Sequence, residues 1–405
     1  MLDLALLPTS ALWAKVEGFV FPNEVELQWS VLIVLYPYLT GLVAGAFILA
    51  SLVRVFNAKA LAPTYRLSLL VALAFLLIAP LPLVAHLGHP ERALNIMFTP
   101  HLSSAMAMFG FVYLWYLLGV LLLEIWFDYR KNIVEWAKES RGLKRWIYSI
   151  LTLGYWDVSE RSLAFDEKAG RIITVIGIPS AVLLHGYVGF IFGSVKGNPW
   201  WSSVLMPIIF LLSAIVSGIA AVLLIYMVSS WIRRIPIDMK CVDAIGRYLM
   251  FALIFDLALE GLDVVHRMYE AGEWFEVLGL LSQGYLFETV FGMQFFLGGV
   301  VPLVSLALLQ WLKVSELTRR RVLFASGALV LTGVLFMRWN VVIGGQLISK
   351  SLAGLTTYRL VMAGEEGGGI ALAVLLLPIV ALLFLVWLLP PWIERHDGAV
   401  RGAPS

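Results

Sequence analysis

Cysteine is almost missing from this sequence: Cys241 is the only one among 405 residues. An internal disulfide, a Cys-ligated iron–sulfur cluster and a Cys-based structural zinc site are therefore excluded. Charge is scarce as well, at 14% of residues with a net balance of only +2. The basic residues fall in short loops rather than in one patch, so the chain carries no nucleic-acid footprint. No Gly-rich phosphate loop, HExxH helix or nucleophile elbow is present. Histidine is limited to six residues. A two-haem transmembrane cytochrome needs four axial histidines on facing helices at two depths. Only His86, His185 and His266 lie in or at the edge of apolar runs, and no run holds two well-separated ones, which argues against haem in this chain.

What the sequence has in abundance is apolar length. Hydrophobic residues make up 60% of the chain and the mean hydropathy is +0.89. Runs of about 20 apolar residues recur, each long enough to cross a hydrocarbon core of ~30 Å. They are too long and too continuously apolar for barrel strands. The fold class is an all-α polytopic membrane protein with nine spans, over about 29–56, 65–87, 103–126, 170–193, 203–231, 243–267, 285–312, 321–349 and 369–392. Of 29 Lys and Arg, 22 lie on the side of the first, third, fifth and seventh inter-span loops and the C-terminal tail, and six lie on the other. The positive-inside rule then puts the N-terminus outside and the C-terminus in the cytoplasm of an inner membrane. Residues 1–28 lack a basic n-region, so no cleavable signal is expected. Their Ser10–Phe21 stretch, with Trp13, Val16, Phe19 and Val20 at helical spacing, predicts a small interfacial helix. The cytoplasmic loop 127–169 predicts an amphipathic helix on the inner leaflet, with Ile133, Trp136 and Ala137 opposite Arg130, Lys131 and Lys138. The outer loops are short and aromatic, among them Pro199–Trp200–Trp201 and Glu273–Trp274–Phe275–Glu276. Together they suggest a docking platform for a soluble partner.

Polar groups near or inside the spans are few, and each is costly in lipid. The outer junction Leu87–Trp115 and the residue just before it gather His86, His89, Glu91, Arg92, His101, Ser103 and Ser104. Tyr36, near the outer end of span one, is either an interface anchor or a hydrogen-bonding group for a polar ligand head. His185 in span four is either a packing residue or a ligand or proton-transfer group. Span six reads FDLALEGLDVVHRMYE. Asp256, Glu260 and Asp263 share one face there, with His266 and Arg267 a turn beyond. Such groups must face the bundle interior or water. Glu288 and Arg338 are their expected partners, with Gln294, Asn340 and Gln346 completing the hydrogen bonds. The set forms either a structural ion-pair network or a proton path.

The outer motif Leu87–Gly88–His89–Pro90–Glu91–Arg92, followed by His101–Leu102–Ser103–Ser104–Ala105–Met106, resembles the signature of the NrfD/PsrC-like membrane subunits of the polysulfide reductase kind. Span one, with Trp29, Tyr36 and Gly41–Leu42–Val43–Ala44–Gly45, is similar to the first core helix of that family. Pro179, His185–Gly186–Tyr187–Val188–Gly189–Phe190 and Pro199–Trp200–Trp201 resemble its fourth. The segment Met337–Arg338–Trp339–Asn340 through Gln346 resembles a late-helix motif of its longer members.

The resemblance implies two four-helix bundles, here 29–193 and 194–349, with an outer loop, an extra ninth helix and a cytoplasmic tail over 350–405. It implies a membrane anchor that oxidises quinol or reduces quinone, menaquinone or ubiquinone, without haem or an iron–sulfur cluster of its own. By position Tyr36 and His185 are the expected catalytic residues, and Tyr36, His86, His101, Ser103, Ser104 and His185 the expected quinone-binding set. Electrons would pass to or from a four-cluster ferredoxin-like iron–sulfur subunit on the outer face, serving a molybdopterin or hydrogenase catalytic subunit. A competing reading is a secondary transporter or proton-translocating subunit built on Asp256, Glu260, Asp263, Glu288 and Arg338.

Overall fold

The computed structural model describes residues 16–392 apart from 25–26, 100, 102, 271–272, 283 and 365. Among them run nine long helices: α1 (Val31–Arg54), α2 (Lys59–His86), α3 (Met108–Glu139), α4 (Glu160–Gly193), α5 (Met206–Ile232), α6 (Met239–Glu270), α7 (Gly284–Trp311), α8 (Glu316–Leu347) and α9 (Gly368–Leu388). All but α6 are long and apolar enough to cross a bilayer. Helix α6 falls short because Asp256, Glu260 and Asp263 occupy its second half, and all three are buried. The chain is thus a multi-pass helical membrane protein, as its hydropathy pattern predicts.

Helices α1 and α5 form the spine. Helix α1 is almost wholly buried, packing on α5, α2 and α4, and α5 packs on α4, α6 and α8. The spine closes on glycine: a Cβ at Gly45 would sit 2.3 Å from the Ala214 carbonyl oxygen, and one at Gly218 2.4 Å from the Gly45 Cα. Small residues let helix backbones touch in this way where lipid offers no hydrophobic drive. Helix α9 lies against α2 and α1, on the first bundle. Its end is held there by Tyr148 and Tyr129, whose hydroxyls donate to the Leu388 and Leu389 carbonyls.

Two expectations change. Val16 to Phe21, the described part of the predicted Ser10–Phe21 helix, is not helical. Glu17–Gly18 instead pairs antiparallel with Gly354–Leu355, because an extended segment can satisfy its backbone on the loop that follows α8; Trp13 lies outside the described residues. The loop helix expected to start near Arg130 is the continuation of α3, which runs straight on to Glu139. Arg130 is fully buried rather than on a lipid-facing surface. It donates to Asp166 at 2.7 Å, to Ser162 Oγ at 2.7 Å and to the Asp157 carbonyl. A guanidinium with that many acceptors is held as a clamp between the extended ends of α3 and α4. The surface helix of this loop is Gly142–Leu151, with Leu143 and Trp146 outward.

Candidate functional site

An aromatic chamber walled by Phe109 and Tyr187 lies near the N-terminal end of α1. Tyr36 is buried there, its ring edge-on to Phe109 at 5.4 Å, and Phe109 in turn stacks on Tyr187 of α4 at 6.2 Å. Tyr113, one turn beyond Phe109 on α3, spends its hydroxyl on the Leu76 carbonyl at 2.7 Å. The Tyr36 hydroxyl has no hydrogen-bond partner among the described residues. A buried phenol without an acceptor carries a desolvation penalty of about 1–3 kcal/mol, which a ligand carbonyl or a water at that point would remove.

Around the corner of α4 lies a second polar centre. His185 is fully buried and packs on Gly41 of α1, where an added Cβ would meet its ring at 3.3 Å. Its Nε2 stands 3.1 Å from the Arg338 guanidinium, and its Nδ1 has no partner among the described residues. Arg338, also fully buried, donates to Ser213 Oγ at 2.7 Å and to the Phe210 carbonyl at 3.2 Å, and lies over the Phe210 ring at 4.0 Å. Asp256 and Glu260 of α6 are buried nearby, and neither forms an ion pair with this guanidinium among the described residues. Glu260 accepts from Gln294 at 3.3 Å, and Gln294 accepts from Asn340 at 2.9 Å. A cavity of about 20 Å³, lined by Ser213, Asp256, Glu260 and Gln294 among others, lies in the middle. That is room for a water and little more.

Gln294 and Asn340 lie in π-helical turns, Glu288–Val300 and Asn340–Gly344. Such turns release backbone carbonyls from the regular ladder. Two of these, at Asn340 and Val341, take the indole N–H groups of Trp200 (3.0 Å) and Trp201 (2.5 Å). The Trp200–Trp201 pair therefore points inward to hold α8.

A third cluster sits at the basic end of the first bundle. Glu124 is fully buried and accepts from Thr174 at 2.8 Å and Tyr65 at 3.2 Å. Arg54 donates to the Tyr65 hydroxyl at 2.8 Å and pairs with Asp128 at 3.8 Å and Glu167 at 3.5 Å. Arg66 pairs with Asp128 at 2.7 Å. Gly170 is what lets Arg54 in, since a Cβ there would overlap its guanidinium at 2.2 Å.

Known proteins with this sequence pattern narrow the reading. The family model described as Polysulphide reductase, NrfD matches residues 21–350. The chain belongs to that family. It is similar to a selenate reductase subunit of Mesobacillus selenatarsenatis, 30% identical over 323 residues, 78% of this chain and 73% of the relative. It is 27% identical to NrfD of Escherichia coli over 344 residues, covering 80% and 96% of the two chains. A tetrathionate reductase subunit of Archaeoglobus fulgidus is 25% identical over 395 residues, 92% and 97% of the two. The selenate and tetrathionate relatives are named as reductase subunits, and a part in an oxidoreductase complex follows for this NrfD-family chain.

Within that frame the residues expected from sequence separate into groups. Tyr36 lies in the chamber, while His185 turns away from it to Arg338. His86, at the end of α2, pairs with Glu366 at 3.0 Å. His101 and Ser103 are exposed and bond each other at 2.7 Å, and Ser104 is half-buried just before the helix Ala105–Leu114. Of the acidic set, Asp256 and Glu260 line the small cavity with Ser213, to which Arg338 donates, without pairing with Arg338 directly among the described residues. Asp263 instead accepts from Ser203 at 2.5 Å and pairs with Arg267 at 2.7 Å, near the α4–α5 loop. Glu288 is exposed. Gln346 ties the start of α1, accepting from the Trp29 N–H at 2.9 Å. The Glu124 cluster escapes a sequence reading in which Arg54 and Arg66 count as loop cations. A signal for it does exist: Glu124 and Asp128 are four apart on one helix face, opposite two arginines at helix ends. Among the described residues no group of three or more His, Cys, Asp or Glu gathers as a metal site would.

Proposed function

We propose that this chain anchors a reductase complex in the inner membrane and oxidises quinol or reduces quinone in the chamber at Tyr36, with the N-terminus outside and the tail in the cytoplasm. The observation that carries the reading is the unpartnered, buried Tyr36 hydroxyl between aromatic walls. A quinone bound there supplies a carrier for two electrons and two protons whose flat ring suits Phe109 and Tyr187. Tyr36 would orient it by donating one hydrogen bond, and the packed aromatics would exclude water. Protons have a candidate route along α3: Glu124, Tyr116 and Tyr113 follow one another from the basic face toward Tyr36. Tyr116 is fully buried with an unpartnered hydroxyl. Electrons would leave through an extracytoplasmic iron–sulfur subunit, as the reductase names of the relatives support, toward a molybdopterin or hydrogenase subunit.

In the assembled complex Tyr36→Phe is expected to lower quinol-linked turnover about 10²-fold at unchanged protein level. Full turnover in Tyr36→Phe would remove the assignment.

The second reading is favoured in one form only. A cavity of about 20 Å³ beside Asp256 and Glu260 accommodates water rather than a solute. Proton handling at Arg338, Asp256 and Glu260 fits it, and solute transport does not. Proton release measured in sealed vesicles, with and without Glu260→Gln, tests this apart from electron transfer.

A further inference from the structure

At the basic face, where α5 ends and α8 begins, two cavities of about 560 and 420 Å³ adjoin and share Trp231, Ile237 and Arg320 as walls. One also reaches Arg234 and the other Arg321 and Phe324. The walls are unusually apolar for a surface crowded with guanidiniums: Trp231 is 77% exposed and Phe324 42%. The neighbouring arginines are engaged. Arg319 pairs with Asp243 at 3.0 Å, Arg320 with Glu316, and Arg233 lies over the Trp392 ring at 3.7 Å. Arg234 and Arg321 have no acidic partner among the described residues, although both are exposed. Arg234 also holds φ at +55°, a conformation rare outside glycine. That backbone turn presents its side chain to the cavity instead of continuing α5.

We propose that these adjoining cavities bind one anionic phospholipid, its phosphate between Arg234 and Arg321 and its acyl chains on Trp231 and Phe324. Two facts decide the occupant. The site lies where one membrane-length helix ends and another begins. Its charge is uncompensated and positive against an apolar wall, the complement of an amphiphile with a net negative head. A zwitterionic lipid brings its own cation and gains less. A soluble anion would leave the Trp231 and Phe324 surface wet. The site stands apart from the chamber at Tyr36 and does not depend on the quinone reading.

The full chain in detergent, stripped of lipid, is titrated with phosphatidylglycerol or phosphatidylcholine and followed by native mass spectrometry. The unmodified protein is expected to take up one phosphatidylglycerol in preference to phosphatidylcholine. Arg234→Gln/Arg321→Gln should weaken that uptake about tenfold, with each single variant between. The matched pair Lys168→Gln/Arg171→Gln, exposed on the same face, should leave it unchanged. Equal uptake of the two lipids, equal uptake by the double variant, or the same loss in the matched pair would each overturn the proposal. Should the double variant fail to fold, Arg321→Gln alone decides, since it keeps Arg234 and the α5 turn.

Discussion

Two clusters of buried acids lie among these helices, one within α1–α4 and one across α4–α8, and the two are built differently. In the first, Glu124 and Asp128 meet Arg54 and Arg66, and each acid has at least one hydrogen-bond donor. In the second, Asp256 and Glu260 line a cavity of about 20 Å³ beside Ser213, the residue that Arg338 binds, and neither forms an ion pair with that single guanidinium among the described residues. One Asp256 carboxylate oxygen, like Glu124 Oε2 in the first, has no partner among them. The first sets two guanidiniums against its two buried carboxyls, with the exposed Glu167 also on Arg54. The second has one carboxyl more than it has guanidiniums and sits deep in the bundle. A matched set can be purely structural. An unmatched one, with water at hand, is where a proton can arrive and leave without breaking a closed pair.

The largest test of that contrast is to remove the lone cation. Arg338→Met removes the guanidinium held by Ser213, the Phe210 carbonyl and His185 and leaves the nearby Asp256 and Glu260 without a buried cation, and the expected loss is about 3–5 kcal/mol. A thermal melt of the purified chain reads it. Arg66→Met should do less, since Asp128 keeps Arg54 at 3.8 Å; an equal drop would erase the distinction between the two clusters. Next in size is Gly45→Ala, which forces a methyl into the Ala214 carbonyl. About 1–3 kcal/mol of overpacking strain is expected, disturbing both bundles at once, whereas Gly197→Ala, which faces open space, should be silent in the same melt. Glu260→Gln keeps the hydrogen-bonding shape and removes the charge. Quinol-linked turnover should persist while vesicle proton release falls, and parallel loss of both would tie the two clusters into one machine. The smallest effect belongs to Trp200→Phe. It frees one π-turn carbonyl at Asn340 for about 1 kcal/mol, visible as faster amide exchange at the outer end of α8 and nowhere in the first bundle.

Hydropathy makes the helices legible because lipid imposes one rule on every span, and even α6, with its buried acids, stands out by length and by the spacing of Asp256 and Glu260. The family resemblance is legible from the Leu87–Arg92 and His101–Met106 motifs. What escapes is whatever depends on which helix stands opposite. Arg130 reads as a surface cation until Asp166 and Ser162, more than 30 positions away, close on it. Trp200 and Trp201 read as part of a docking platform, yet their acceptors are carbonyls released by a π-turn 140 positions on. Glu288 looks like the natural partner of the span-six acids, and the amide of Gln294, deeper in the same helix, is the group that reaches Glu260. His185 can be chosen from burial cost alone. Its neighbour Arg338 can be named, but not the fact that the two meet.

The glycine contact between α1 and α5 has a mechanical meaning. With Gly45 and Gly218 backbone to backbone, no layer of side chains separates the halves, and nothing between them can shear or compress. A side chain added at either glycine would wedge α1 from α5, and that displacement would reach Tyr36 and the Gly41 wall of His185, which ride on the same helix.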